Sequence, residues 1–199
     1  MKPVRVINGR AVPLDRSDVD TDQIIPASWL KRVERTGFGQ GLFSQWRDDR
    51  DFVLNKPEHA GANILVAGPN FGTGSSREHA VWALVDYGFE AVISPRFGDI
   101  FRNNATKAGL LPVQVEAGVA QAIMAAVQAD PALEIMIDVE RRHVDIPAAG
   151  IDAEFPLDPF TQHRLLEGLD DIGISLQSAT DIDSYESNRP SWLPSVAAR

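Results

Sequence analysis

Residues 63–88 read NILVAGPNFGTGSSREHAVWALVDYG, and their reading decides the fold. Asn63 to Gly68 is a short apolar run ending in glycine, which predicts a strand in a sheet covered on both faces. Pro69 to Gly74 breaks both regular structures, so the chain turns there. Ser75 followed three residues later by Glu78 has the spacing of a capping box, which places a helix N-terminus at Ser75. Ala80, Val81, Leu84 and Val85 recur at helical spacing, and Gly88 supplies the stop.

A strand, a glycine-rich loop and a helix start form an arrangement suited to anions. The first N–H groups of a helix have no intrahelical acceptor and carry partial positive charge. Gly72 and Gly74 would let a ligand approach the backbone, forming a cradle. Arg77 adds a planar fork of donors that matches a carboxylate. Two glycines alone fit a well-capped helix after a tight turn equally well. Two nucleotide motifs fail. The dinucleotide fingerprint requires glycine where Arg77 stands, and the phosphate-binding loop requires a lysine that is missing.

Composition narrows the chemistry. The 199 residues suffice for one domain with its own core. There is no cysteine, so neither disulfides nor thiolate ligation of zinc or an iron–sulfur cluster can come from this chain. His59, His79, His143 and His163 show no paired metal spacing, and no metal site is expected. The formal charge of −9 argues against nucleic acid or an anionic membrane as a partner. It also repels a dianionic substrate, so local arginines must hold one. No apolar run reaches membrane-spanning length, and the N-terminal MKPVRVINGRAV lacks a signal-peptide core. The default expectation is a cytoplasmic protein.

Outward from the central stretch, Val4 to Val12 predicts a β-hairpin turning at Asn8-Gly9. Asp15 to Gln23 is a polar loop; its alternating aspartates lack the glycine and distal glutamate of a calcium loop and also suit capping and Asx-turns. Ser28 to Arg35 is short, amphipathic and cationic, and is broken by Gly37-Phe38-Gly39. Ala91–Ser94 is a strand, Phe97–Ala108 a helix ended by Gly109, and Leu110–Val115 another strand, giving parallel βαβ units. Residues 117–129 form an alanine-rich helix, Leu133–Val139 and Val144–Ile146 a strand pair, and 152–157 a further strand. Pro159–Leu169 is a helix, Ile172–Leu176 a strand or the end of that helical region, and the tail is helical to about Glu186.

The string GSSREHA after its strand and loop resembles the signature of the swivelling domain of the aconitase superfamily, most closely its isopropylmalate isomerase small-subunit family. The resemblance extends to DTDQIIPASWLKR at 20–32, RTGFGQGLFSQWR at 35–47, RFGDIFRNNATKAGLLP at 96–112, LLEGLDDIGISLQ at 165–177 and RPSWLP at 189–194. One departure is Thr73, where many relatives carry cysteine.

This resemblance implies an α/β fold: a single swivelling β/β/α domain with a barrel-like mixed sheet flanked by helices. The domain would cover 1–177. Residues 178–199 would form a C-terminal helix and tail, facing a partner or disordered. It implies a hydro-lyase of leucine biosynthesis that converts 2-isopropylmalate to 3-isopropylmalate through isopropylmaleate. The partner would be a large subunit holding a [4Fe–4S] cluster, and the substrate a small dicarboxylate.

Carried over residue by residue, the resemblance makes Ser75 the base. Backbone donors at the helix start and nearby Arg77 would stabilise its alkoxide. Arg77 would also clamp a substrate carboxylate, and Ser76 would add a hydrogen bond. Thr21 and Asp22 would face the same site. Lys31, Arg32 and Val33, just after the D-x-I-x-P segment, would discriminate among substrates. Glu78 would be structural and His79 packed or partner-facing. Two alternatives stay open at this point: the small subunit of a related hydro-lyase for homoaconitate, citraconate or methylcitrate-type acids, and a non-catalytic dicarboxylate-binding module.

Overall fold

A computed structural model describes residues 1–31, 36–190 and 192–193. Seven strands form one mixed sheet: β1 (Val6–Leu14), β2 (Ile64–Ala67), β3 (Ala91–Ser94), β4 (Leu111–Gln114), β5 (Glu134–Asp138), β6 (His143–Ile146) and β7 (Ile151–Glu154). Their spatial order is β4-β3-β2-β1-β5-β6-β7. The β4 side is parallel and the β7 side antiparallel, so β1 is where the sheet changes character.

The predicted hairpin at Asn8-Gly9 is absent, because that dipeptide lies inside the continuous strand β1. Residues 6–10 pair antiparallel with β5, and residues 11–14 pair parallel with β2. Both partners are far away in sequence, so a local Asn-Gly signal is overridden by distant strand pairing. Gly9 is required for another reason: a Cβ there would meet the Asn63 side chain at 1.8 Å.

The parallel half is covered on both faces, which explains the uniformly apolar strands. All four residues of β2 and of β3 are buried. Side-chain alternation sorts them between two layers. Leu65 and Ala67 pack with α2 (Glu78–Tyr87) and α3 (Asp99–Ala108). Ile64 and Val66 pack with α4 (Ala117–Ala129) and with the inner faces of β5 and β6. Both α2 and α3 end on a left-handed glycine, Gly88 (φ 115°) and Gly109 (φ 83°), as their sequences predict.

The aspartate-rich segment holds the four-residue helix α1 (Thr21–Ile24), capped reciprocally by Asp20 and Gln23. Beyond β7 come α5 (Pro159–Glu167), α6 (Asp171–Leu176) and α7 (Ala179–Ser187). Ile172–Leu176, left open between strand and helix, is therefore helical. Asp170 caps it by accepting a hydrogen bond from the Gly173 N–H.

His59 is buried beside β1, and its Nδ1 has no partner among the described residues. Burial lowers its pKa from the usual value near 6.5, opposed by a hydrogen bond with the Ala11 backbone and by Glu58. The unfolded chain thus binds the proton more readily than the folded one. Its contribution to stability is complete above about pH 6.5 and is lost as pH falls through the lower folded value. Urea unfolding at a series of pH values should show a steeper loss between pH 7.5 and 5 in the parent than in His59→Gln. Parallel profiles would remove His59 as the cause.

Candidate active site

The site is built where β1, β2 and β3 end, at the carboxyl edge of the parallel strands. Three chain segments leave that edge: 15–22, 68–77 and 95–98. They are stitched together by backbone hydrogen bonds. Ser94 Oγ donates to the Gly68 or Arg96 carbonyl, both 2.8 Å away. The Phe71 N–H donates to Arg96 O (3.0 Å), and the Gly98 N–H donates to Phe71 O (2.9 Å). Phe71 is fully buried edge-on to Phe101 of α3, which anchors the loop to the core.

On the other side the glycine-rich loop lies along the aspartate-rich segment. Asp18 N–H donates to Pro69 O (2.9 Å), Gly72 N–H to Val19 O (2.7 Å) and Thr21 N–H to Thr73 O (2.9 Å). Asn70 Nδ2 donates to Asp18 Oδ1 (2.7 Å). Thr21 Oγ1 donates to Ser75 O (3.0 Å), and Arg77 pairs with Asp22. Thr73 takes part through its backbone, in a parallel bridge with Asp20.

This lattice corrects three sequence expectations. The capping box at Ser75 and Glu78 is absent: α2 begins at Glu78, with Arg77 as an N-cap whose side chain makes no capping hydrogen bond to the helix. For Ser75 to cap the helix, its carbonyl would have to accept from the helix. It accepts instead from Thr21 Oγ1 and from the Arg77 N–H at 2.8 Å. Helix-dipole stabilisation fades within the first turn, so Ser75 receives less of it than the sequence implies.

Gly72 has no free N–H to offer an anion cradle. It is buried, its N–H is committed to Val19, and its missing side chain makes room for Phe101. A Cβ there would lie 2.2 Å from the Phe101 ring, at φ 74°. Gly74 is exposed with φ 88° and keeps the role of a turn beside Asp20 and Thr21. Thr21 is only 1% exposed, with its hydroxyl turned to the Ser75 carbonyl and not to solvent.

Ser75 and Ser76 are exposed, next to the partly buried Arg77. Neither serine hydroxyl makes a hydrogen bond among the described residues. Asp22 is half-exposed and holds Arg77 from outside. Lys31 is exposed at the end of a short 3-10 turn over Ala27–Lys31. Arg32 and Val33 lie outside the described residues. The chain returns at Phe38, which is buried against His79 and Trp82 of α2. Gly39 N–H bonds Asp86 Oδ2 (2.9 Å), and a Cβ on Gly39 would strike the Tyr87 backbone at 2.8 Å. His79 packs between Phe38 and Trp82, with ring centroids 5.3 and 4.6 Å away.

One cleft adjoins the three segments that leave the sheet edge and another lies apart from them. The first, of about 480 Å³, runs between Asp15, Gly68 and α4, and the second, of about 510 Å³, between the N-terminal segment and Val85–Glu90. Ser75, Ser76 and Arg77 line neither, and both serines are exposed. Among the described residues no group of three His, Cys, Asp or Glu side chains could hold a metal ion, and no helix is long and apolar enough to cross a membrane.

Comparison with known proteins agrees with this geometry. Residues 1–118 match the family model described as the aconitase C-terminal domain. A 3-isopropylmalate dehydratase small subunit from Parafrankia sp. is 62% identical over 197 residues, covering 99% of this chain and all of the relative. One from Acidothermus cellulolyticus is 59% identical over 198 residues and covers both chains completely. The crystal structure of 3-isopropylmalate dehydratase from Methanocaldococcus jannaschii superposes with a TM-score of 0.66 at 27% identity, covering 91% of this chain and 99% of that one. The half-sheet architecture, the glycine-rich loop before α2 and the end-to-end identity have one account: this chain belongs to the aconitase C-terminal domain family, among the small subunits of 3-isopropylmalate dehydratase.

Proposed function

We propose that this chain is the small subunit of a two-chain hydro-lyase acting in the cytoplasm in leucine biosynthesis. It would isomerise 2-isopropylmalate to 3-isopropylmalate by removing water to give isopropylmaleate and adding it back with the opposite regiochemistry. The observation that carries the reading is identity of 62% running the full length of a relative of that name.

The chemistry makes two demands. A proton next to a carboxylate is weakly acidic, so its removal needs a positioned base and stabilised charge. Ser75 takes that role in this proposal. It ends the glycine-rich loop, is exposed, and has a carbonyl held from two sides. Its alkoxide would accept the substrate proton and return it in the reverse step. Arg77 would supply positive charge and a fork for a substrate carboxylate, with Ser76 adding a hydrogen bond. In this chain Arg77 is already engaged by Asp22, so a substrate carboxylate must share or displace that partner. Gly74 leaves the approach to the loop clear, and Lys31, with Arg32 and Val33, is assigned to recognition of the substrate's side group.

The second demand is a Lewis acid for departing hydroxide. The donor set of this chain does not fit a [4Fe–4S] cluster: there is no cysteine in the sequence, and thiolates are what such a cluster requires. We therefore assign the cluster to a partner large subunit, which would also roof the open face around Ser75. Exposed Ile172, Leu176 and Tyr185 on α6 and α7 offer further apolar surface for such a partner.

Reconstitution tests the proposal. The isolated chain should not hydrate isopropylmaleate, and addition of a cluster-loaded large subunit should establish turnover. Activity of the isolated chain would overturn the two-chain reading. In the reconstituted enzyme, Ser75→Ala should lower kcat by about 10²–10⁴-fold with co-purification unchanged. A near-parental rate would remove Ser75 as base. Arg77→Lys should lose roughly 10–100-fold in kcat/KM, since an ammonium cannot replace the planar fork. Full activity of that variant would argue against a carboxylate clamp.

A further inference from the structure

The sequence around Ser75 encodes a structure that the fold withholds. Ser75 and Glu78 have capping-box spacing, and in that conformation the Ser75 hydroxyl would accept from the Glu78 N–H while its carbonyl accepted from His79. A serine capped in this way has its hydroxyl folded over the helix end instead of free on the exposed side of the loop. In the folded chain the helix starts later, and the Ser75 carbonyl is taken by two other donors, Thr21 Oγ1 at 3.0 Å and Arg77 N–H at 2.8 Å.

Thr21 is well placed to impose this. Its side chain is 1% exposed, and its own N–H bonds Thr73 O at 2.9 Å. It opens α1, whose start is locked by the reciprocal Asp20–Gln23 cap, with bonds of 2.8 and 2.9 Å. Its hydroxyl therefore acts from a rigid base, and the Ser75 carbonyl is the acceptor it reaches.

We propose that Thr21 is a positioning residue for this reaction: by holding the Ser75 carbonyl, its buried hydroxyl keeps Ser75 out of the competing helix cap and leaves the Ser75 hydroxyl free to act. The inference rests on the reading of Ser75 as base. It assigns Thr21 no contact with substrate, in contrast to a residue that merely lines the site. The γ-methyl of Thr21 packs the same space in valine, so Thr21→Val removes the hydroxyl with little change of volume. Thr21→Ser keeps the hydroxyl.

The reconstituted enzyme, assayed with 3-isopropylmalate and with isopropylmaleate, tests this. Thr21→Val should lower kcat about 10–100-fold, the scale expected for a misplaced reacting group, with KM within about twofold of the parent. Thr21→Ser should restore most of kcat. In the isolated Thr21→Val chain, amide hydrogen exchange at Glu78 and His79 should slow as the helix extends back to Ser75. Unchanged kcat in Thr21→Val, a change confined to KM, or equal loss in the valine and serine variants would each overturn the inference. If Thr21→Val fails to assemble, the serine variant and the amide-exchange comparison decide. Ser75→Ala run in parallel separates the two readings. A fully active Ser75→Ala defeats the base assignment itself, whereas an inactive Ser75→Ala beside a fully active Thr21→Val defeats only the role given to Thr21.

Discussion

Everything at the candidate site depends on one constraint: the glycine-rich loop has no regular structure of its own, so its backbone groups must be paired by neighbours. A buried loop with unpaired N–H and C=O groups would carry a large desolvation cost. Here the cost is avoided by lending the loop two outside edges. Residues 18–22 pair with 69–75 on one side, and residues 96–98 pair with Phe71 on the other. The edges leave the ends of β1 and β3, the sheet neighbours of β2, so the loop is splinted by the segments that sheet order puts next to it. Gly72 belongs to this splint rather than to ligand binding, since its small size admits Phe101 and its N–H serves Val19.

The same splint divides the site into a buried support and an exposed working edge. Thr21 and Phe71 are buried; Ser75, Ser76 and Asp22 face outward. Ser75, Ser76 and Arg77 follow one another at the end of the loop, with both serines exposed. The chain's net charge of −9 opposes a dianionic substrate at long range, and Arg77 shares its charge with Asp22. An open, half-neutralised face suits a subunit whose site is completed across an interface.

Much of this was legible in the linear chain. The strands β2, β3 and β4 announced themselves as apolar runs, because burial on both faces leaves no polar positions. Helices α2, α3 and α5 were readable with the glycines that stop them, and α4 from an alanine-rich run ended by Asp130-Pro131, since these signals are local. The candidate serines and arginine came from a motif specific enough to identify its family. The site was less legible where local and distant forces compete. Asn8-Gly9 has hairpin chemistry, yet β2 and β5 claim that segment for a central strand. Ser75 and Glu78 have capping chemistry, yet Thr21 claims the Ser75 carbonyl.

By itself, then, the sequence determined most of the element types, α1 and Ile172–Leu176 excepted, together with the family and the absence of any cysteine with which this chain could hold a cluster. These follow from residue identity and short-range periodicity alone. Tertiary structure decided which partner each polar group found: that the Gly72 N–H meets Val19, that the Thr21 hydroxyl meets the Ser75 carbonyl, that Arg77 is met by Asp22, and that Ser75 stays outside the helix. The physical reason is the same in each case. A hydrogen-bonding group takes the acceptor or donor that folding brings nearest, and for a loop at a sheet edge that neighbour comes from another part of the chain.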